Sequence, residues 1–154
     1  MKKWMELVVI VVAGGGLLTS NSAMGADTSE NPSVMVYKSP TCGCCSKWIE
    51  HLEGNGFEVR SKDIADVTPV KRMNGVPGNL ASCHTAIVGG YFVEGHVPAE
   101  DVIKLLEERP EIAGLAVPRM PVGSPGMEGP NPVAYSVLAV KKDGSVEVFS
   151  SHGP

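Results

Sequence analysis

The sequence predicts a single α/β domain preceded by a short N-terminal segment. Two β-type runs, 34–38 and 57–61, flank a helical pattern, and a strand, helix and strand in this order normally give two parallel strands. A Gly89-Gly90 turn joins two further β-type runs, which predicts an antiparallel hairpin. A second well-patterned helix follows the hairpin. With 154 residues, the chain accommodates one such domain with a substantial core.

Each element has its own local signals. The first helix places Trp48, Ile49 and Leu52 on one face, and Gly54-Asn55-Gly56 ends it. Proline in the first turn predicts a short helix at 68–73. The expected elements are strand 34–38, a helix from the cysteine turn to about Glu53, strand 57–61, helix 68–73, strands 85–88 and 91–94, and a helix from Pro98 to Arg109-Pro110.

This order is typical of the thioredoxin-like fold. In that fold a cysteine pair lies at the N-terminus of the first helix, where Cys42 and Cys45 fall at CxxC spacing. The tail adds two features. Residues 117–132 are rich in proline and glycine and predict a loop that must be held by something other than secondary structure. A final hairpin, 134–140 and 146–149, is predicted around Asp143-Gly144.

The first 25 residues have the features of a signal peptide. Lys2 and Lys3 precede an apolar run, 7–18, and small residues around Gly25 predict cleavage after it. The apolar run is shorter than the roughly 20 residues that a membrane-spanning helix needs. We therefore expect a signal peptide (1–25), a flexible arm (26–33) and a thioredoxin-like domain (34–154), exported and with no stable membrane anchor after processing.

Composition excludes one class of partner. The net charge is −4, the chain has no basic run, and its aromatic residues are few and scattered. A nucleic-acid-binding protein needs a positively charged surface for the phosphate backbone. No nucleic-acid partner is expected.

The four cysteines carry the chemical prediction. Cys42, Cys44 and Cys45 crowd one turn, and Cys83 comes much later. The N-terminus of a helix stabilises a thiolate, so Cys42 and Cys45 are suited to form a redox disulfide. A Cys44–Cys45 disulfide between neighbours would be strained. An exported protein with four cysteines can also hold two structural disulfides, so that reading stays open.

Metal binding is the other interpretation of this pattern. Structural zinc prefers paired ligands from two chain segments, whereas Cu(I) accepts two or three thiolates and shares them between ions. Three crowded sulfurs plus Cys83 therefore favour a thiolate-bridged cluster of more than one Cu(I). His84 and the thioethers of Met120 and Met127 are further candidate ligands, although methionine more often serves packing.

Two histidines near the predicted hairpin receive different interpretations. Thioredoxin-like proteins usually have a cis-proline where this chain has Cys83 and His84. A sulfur and an imidazole should therefore face the other cysteines, which weakens a dithiol-oxidoreductase reading and strengthens the metal reading. His96 is expected to be a cap or a packing residue, although one turn of geometry could bring it close to the site.

The motifs together resemble the periplasmic CopG-type copper-resistance proteins, a metal-binding family. The resemblance covers roughly residues 34–150. It rests on these segments: Cys42-Gly43-Cys44-Cys45, Gly75-Val76-Pro77, Ser82-Cys83-His84-Thr85, Val93-Glu94-Gly95-His96-Val97-Pro98 and Met120-Pro121-Val122-Gly123-Ser124-Pro125-Gly126-Met127.

The resemblance implies a thioredoxin-like fold and a cysteine-bridged Cu(I) cluster. Carried over by position, its ligands are Cys42, Cys44, Cys45 and Cys83. We therefore expect an exported protein that acts in copper tolerance, with copper ions and other periplasmic copper-handling proteins as partners. Copper redox activity remains open, as does whether the protein is an enzyme. The alternative is a thiol-disulfide oxidoreductase using Cys42 and Cys45.

Overall fold

The computed structural model describes residues 31–154, so the predicted signal peptide and most of the predicted arm lie outside the described residues. The elements are β1 (Ser33–Lys38), α1 (Gly43–Gly54), β2 (Glu58–Asp63), α2 (Thr68–Met73), a 3₁₀ turn (Gly78–Leu80), β3 (His84–Val88), β4 (Tyr91–Glu94), α3 (Ala99–Glu108), β5 (Ile112–Ala116), β6 (Tyr135–Lys141) and β7 (Val146–His152). Within this range, no helix combines the length and apolar character that crossing a bilayer requires.

The seven strands form one mixed sheet in the order β2-β1-β3-β4-β5-β6-β7. The pairs β1–β2 and β4–β5 are parallel, and the other four pairs are antiparallel. The predicted parallel pair and both predicted hairpins are confirmed. Each parallel pair is connected through a helix, α1 or α3, as such pairs require.

One strand was not predicted. β5 reads Ile-Ala-Gly-Leu-Ala, which is short and contains small residues with little strand preference. Its place beside β4 depends on Gly114, because a Cβ there would lie 2.2 Å from the Phe92 carbonyl oxygen. Long-range packing, rather than local preference, makes this segment a strand.

The two faces of the sheet have separate apolar layers. The larger layer joins α1 and α3 to one face and includes Trp48, Leu52 and Leu105, which are fully buried. The smaller layer contains Val76 and Leu80, which lie after α2 and in the 3₁₀ turn, on the other face. Helix α1 is thereby fixed to the sheet with its N-terminus at the end of β1.

Candidate metal centre

The cysteine turn connects β1 to α1. Cys42 occupies the N-cap position with extended backbone (φ −80°, ψ 92°), and its N–H donates to the Ser39 carbonyl at 3.1 Å. Cys44 and Cys45 lie in the first turn of the helix, which has no acidic residue. Cys45 is fully buried, whereas Cys42 and Cys44 are partly exposed.

Cys42 and Cys45 form a disulfide, the pairing that their CxxC spacing predicts. Cys44 and Cys83 are free thiols, and the Cys44 Sγ lies 3.5 Å from the Cys42 Sγ. Two structural disulfides would leave no free thiol, so the structure contradicts that alternative.

The sheet register brings Cys83 back to the cysteine turn. β3 lies beside β1, and His84 pairs with Lys38 at the end of β1. Cys83 therefore lies next to the start of the turn that carries the other three cysteines. The four Sγ atoms all lie within 4.8 Å of one another. The structure therefore contains the grouping of four sulfurs that the sequence predicts.

His96 also belongs to this group, contrary to the expectation that it is a cap or packing residue. Its Nε2 lies 3.1 Å from the Cys83 Sγ. The signal was present in the sequence. The Gly89-Gly90 turn pairs Val88 with Tyr91 and Thr85 with Glu94, and the same register continued outward places residue 83 opposite residue 96. The hairpin itself thus predicts that Cys83 and His96 meet.

Hydrogen bonding fixes the orientation of the His96 ring. Its Nδ1 lies 2.7 Å from the Pro125 carbonyl oxygen, which can only accept, so Nδ1 carries the proton. Nε2 then presents its lone pair to Cys83. Burial lowers the pKa of His96, which keeps the imidazole neutral at neutral pH. Metal-binding histidines commonly have this arrangement, with one nitrogen free and the other donating to a carbonyl.

His84 also lies beside Cys83. Its Nδ1 lies 3.4 Å from the Cys83 Sγ, and its ring packs on Trp48 with the centroids 4.4 Å apart. The Nε2 atom is buried and has no hydrogen-bond partner among the described residues. Burial lowers the pKa of His84 well below its usual range, so this imidazole is also neutral. One ligand atom from each of Cys83, His84 and His96 lies within 4.8 Å of the others.

Two solved structures match this chain. One, described as "Copper resistance protein copG- Form 2", is 46% identical, with 80% of this chain and 100% of that chain covered and a TM-score of 0.77. The other, described as "Copper resistance protein copG- Form 1", is also 46% identical, with 81% and 100% covered and a TM-score of 0.76. This chain belongs to the CopG copper-resistance family.

A family model described as "Protein of unknown function, DUF411" matches residues 80–127 of this CopG-family chain, the region from the 3₁₀ turn through the Pro/Gly loop. No curated protein matches it. The matched region contains Cys83, His84 and His96, but not the cysteine turn.

The Pro/Gly loop of this CopG-family protein, residues 117–132, is held against the site. The Ser82 hydroxyl, next to Cys83, donates to the Arg119 carbonyl at 2.6 Å, and the Pro125 carbonyl accepts from His96. Gly126 lies so close to the cysteine turn that a Cβ there would be 2.7 Å from the Cys44 carbonyl oxygen. These contacts confirm that something other than secondary structure holds the loop.

The two predicted thioether residues lie at opposite ends of these loop contacts. Met120 follows Arg119, is 48% exposed, and lines a surface cavity of about 440 Å³ between residues 117–121 and 133–138. Met127 is partly buried and follows Gly126, which lies against the cysteine turn. Met73, which is 85% exposed, is fully at the surface.

The free thiol of Cys83 is electrostatically distinct. Burial, followed by electrostatic repulsion from the nearby Cys44 sulfur, raises its pKa to about 11. In the metal-free protein this cysteine is therefore a protonated thiol at neutral pH. The thiol can donate to the lone pair of His96 Nε2 at 3.1 Å. A metal bound by this sulfur would replace that proton.

Proposed function

We propose that this protein is exported to the periplasm and acts in copper tolerance by binding more than one Cu(I) through the thiolates of Cys42, Cys44, Cys45 and Cys83. The observation that carries the proposal is the grouping of four sulfurs within 4.8 Å of one another, with Cys83 supplied by a distant part of the chain. Thiolates are soft ligands, which suit Cu(I) better than a hard cation. Membership of a copper-resistance family supports the same cargo.

Binding through all four sulfurs requires reduction of the Cys42–Cys45 disulfide. A dithiol reductant supplies two electrons and two protons, the S–S bond breaks, and the reductant becomes a disulfide. Each of the four thiols then loses its proton as its sulfur binds copper. The oxidised protein retains only the Cys44 and Cys83 thiols for this purpose.

The flanking histidines extend the sulfur group toward nitrogen ligands. His96 presents a neutral Nε2 to Cys83, and His84 presents Nδ1 to the same sulfur. We place both histidines in the copper site, with Met127 and Met120 as thioether ligands supplied by the Pro/Gly loop. Because imidazole also suits Cu(II), a site with both sulfur and nitrogen donors is compatible with copper redox chemistry.

The test is elemental analysis after anaerobic Cu(I) loading and removal of loose metal. Reduced wild-type protein is expected to retain several copper ions per chain, and the oxidised protein fewer. Cys83→Ser should lose most of the copper while keeping the wild-type circular dichroism spectrum. Met73→Leu is the matched control, because Met73 is exposed and should not affect retention. Copper retention by a cysteine-free variant equal to that of the wild type would refute the proposal.

A second function has a specific observation in its favour. The Cys42–Cys45 disulfide at the start of α1, with the Cys44 thiol 3.5 Å from Cys42, is an arrangement suited to thiol-disulfide exchange. The strand order β2-β1-β3-β4 around it supports assignment of this part to the thioredoxin-like class. If the wild-type protein reduces a disulfide in a substrate protein without metal, and the Cys42→Ser variant does not, this function would be favoured over copper binding.

Export is tested separately. Fractionation of cells that express the full chain should place the mature protein in the periplasmic fraction, with an N-terminus at Ala26. Recovery of a chain that still begins at residue 1 in the cytoplasm would refute this part of the proposal without affecting the copper site.

A further inference from the structure

A buried carboxylate lies behind the Cys83 segment. Glu94, the last residue of β4, has no exposed surface. Its Oε1 accepts from the Lys71 ammonium at 2.5 Å and from the Ser82 backbone N–H at 2.5 Å. Its Oε2 accepts from the Thr85 hydroxyl at 2.7 Å. Burying a carboxylate is costly unless such donors compensate it, so all three contacts matter to its presence here.

Two of these donors flank the residues that face the other cysteines. Ser82 immediately precedes the Cys83-His84 pair, and Thr85 immediately follows it. A single carboxylate therefore fixes both ends of this dipeptide. Lys71 adds to the arrangement, because its Nζ also donates to the Thr85 hydroxyl at 3.1 Å.

Gly95, the residue after Glu94, also holds the Cys83-His84 segment, through a backbone hydrogen bond. The Gly95 N–H donates to the His84 carbonyl at 3.2 Å. Gly95 has φ +73°, and a Cβ there would lie 2.7 Å from the Ser82 side chain and 2.6 Å from the Val117 carbonyl oxygen. The backbone at Glu94-Gly95 thus follows the Cys83 segment too closely for a larger residue.

We propose that Glu94, held by Lys71, is a positioning residue that sets the location of the Cys83 sulfur and the His84 imidazole relative to the cysteine turn. This inference rests on the proposed copper function, because it names the residue that supports half of that site. Glu94 does not touch the sulfurs; it acts through Ser82 and Thr85. Residues that orient metal ligands in this way typically change metal affinity about 10- to 100-fold when they are replaced.

The first test compares Cu(I) affinity by competition with a coloured Cu(I) chelator. Glu94→Gln keeps the side-chain size but replaces one acceptor oxygen with an NH₂ group, so Ser82 or Thr85 loses its acceptor. We expect affinity to fall about 10- to 100-fold with the number of copper ions per chain unchanged. Val102→Ala, which opens a cavity in the core beneath α3, is the control for general loss of stability and should keep the wild-type affinity.

The second test needs no metal and separates this inference from the copper function. In a Cys44→Ser background with the Cys42–Cys45 disulfide intact, Cys83 is the only free thiol. Its alkylation by iodoacetamide should be faster in Glu94→Gln than in the background protein, because the segment is no longer held at both ends. If wild-type protein binds no Cu(I), the copper function fails while this result still decides the role of Glu94.

A milder variant covers the case in which Glu94→Gln does not fold. Thr85→Val removes only the hydroxyl that donates to Glu94 Oε2. Compared with Glu94→Gln, it should change the Cys83 alkylation rate and the Cu(I) affinity in the same directions but by smaller factors. Wild-type alkylation and affinity in whichever of the two variants folds would overturn the inference. Equal changes in Val102→Ala would overturn it as well, because they would reflect stability alone.

Discussion

The protonation of Cys83 gives a quantitative test of the site in its metal-free form. Burial, and then electrostatic repulsion from the Cys44 sulfur, raises the Cys83 pKa from the ordinary 9.0 to about 11. Only the thiolate reacts with an alkylating reagent. At pH 8 the thiolate fraction falls from roughly 10% for an ordinary cysteine to roughly 0.1% for Cys83, about a hundredfold difference.

The assay measures iodoacetamide alkylation in short pulses from about pH 7 to about pH 12, which brackets the expected midpoint, on protein with the Cys42–Cys45 disulfide intact. Trypsin separates the two free thiols, because cleavage after Lys47 and Arg72 leaves Cys44 and Cys83 in different peptides. Mass spectrometry then gives a rate for each. The midpoint of the Cys83 profile is the informative quantity, since restricted access lowers the maximal rate but leaves the midpoint in place.

Two controls separate the causes of the raised Cys83 pKa. Urea-unfolded protein should show a Cys83 midpoint near the ordinary 9.0. The variant Cys44→Ser removes the neighbouring negative charge but not the burial, so its midpoint should lie between 9.0 and 11. A folded wild-type midpoint at or below 9.0 would refute the reasoning, because it would mean that the structure does not penalise the thiolate.

The same shift predicts the pH dependence of stability. A pKa that is higher in the folded state favours the protonated form there, so the stabilisation is complete below about pH 9 and is lost as the pH rises from 9 to about 11. Urea unfolding of the metal-free protein should therefore show a decreasing free energy across this range. Cys83→Ser should show a smaller decrease.

Two further predictions concern the support of the site. Trp48→Phe removes the Nε1–H donor that lies 2.8 Å from the Val97 carbonyl and leaves a partly empty, fully buried space, so urea unfolding should show a loss of about 2–4 kcal/mol. A loss under about 1 kcal/mol would contradict this account. Gly126→Ala places a methyl group 2.7 Å from the Cys44 carbonyl oxygen at φ +82° and should cost about 2–4 kcal/mol and lower copper retention. Gly144→Ala is the control: its φ of +85° is similar but the space around it is open, so the free energy of unfolding should fall by only about 1–2 kcal/mol. Equal losses in the two variants would refute contact between the loop and the cysteine turn.

Local patterns predicted much of this fold because most elements have clear signals of their own. The amphipathic helix after the cysteines, the Gly89-Gly90 turn and the Asp143-Gly144 turn each determine an element without reference to the rest of the chain. β5 was missed because Ile112–Ala116 becomes a strand only through its neighbours β4 and β6. The position of that strand depends on a close backbone approach at Gly114, which sequence patterns do not reveal.

The site was predicted to a similar extent. The grouping of the sulfurs followed from the position of the cysteine turn between strand and helix and of Cys83 before the hairpin. His96 was missed, although the hairpin register places residue 96 opposite Cys83. The loop contacts could not be predicted, because sequence patterns do not reveal them. Two are made by the backbone carbonyls of Arg119 and Pro125, and the third is a close backbone approach at Gly126, which has no side chain to prevent it.

The positions of the proposed ligands are supported by contacts with the rest of the fold. Glu94 holds the segment of Cys83, the Pro125 carbonyl orients His96, and α1 fixes the cysteine turn. What separates this arrangement from a four-thiolate site is the Cys42–Cys45 disulfide, since only Cys44 and Cys83 are free thiols. The redox state of this pair should therefore control how much copper the protein holds.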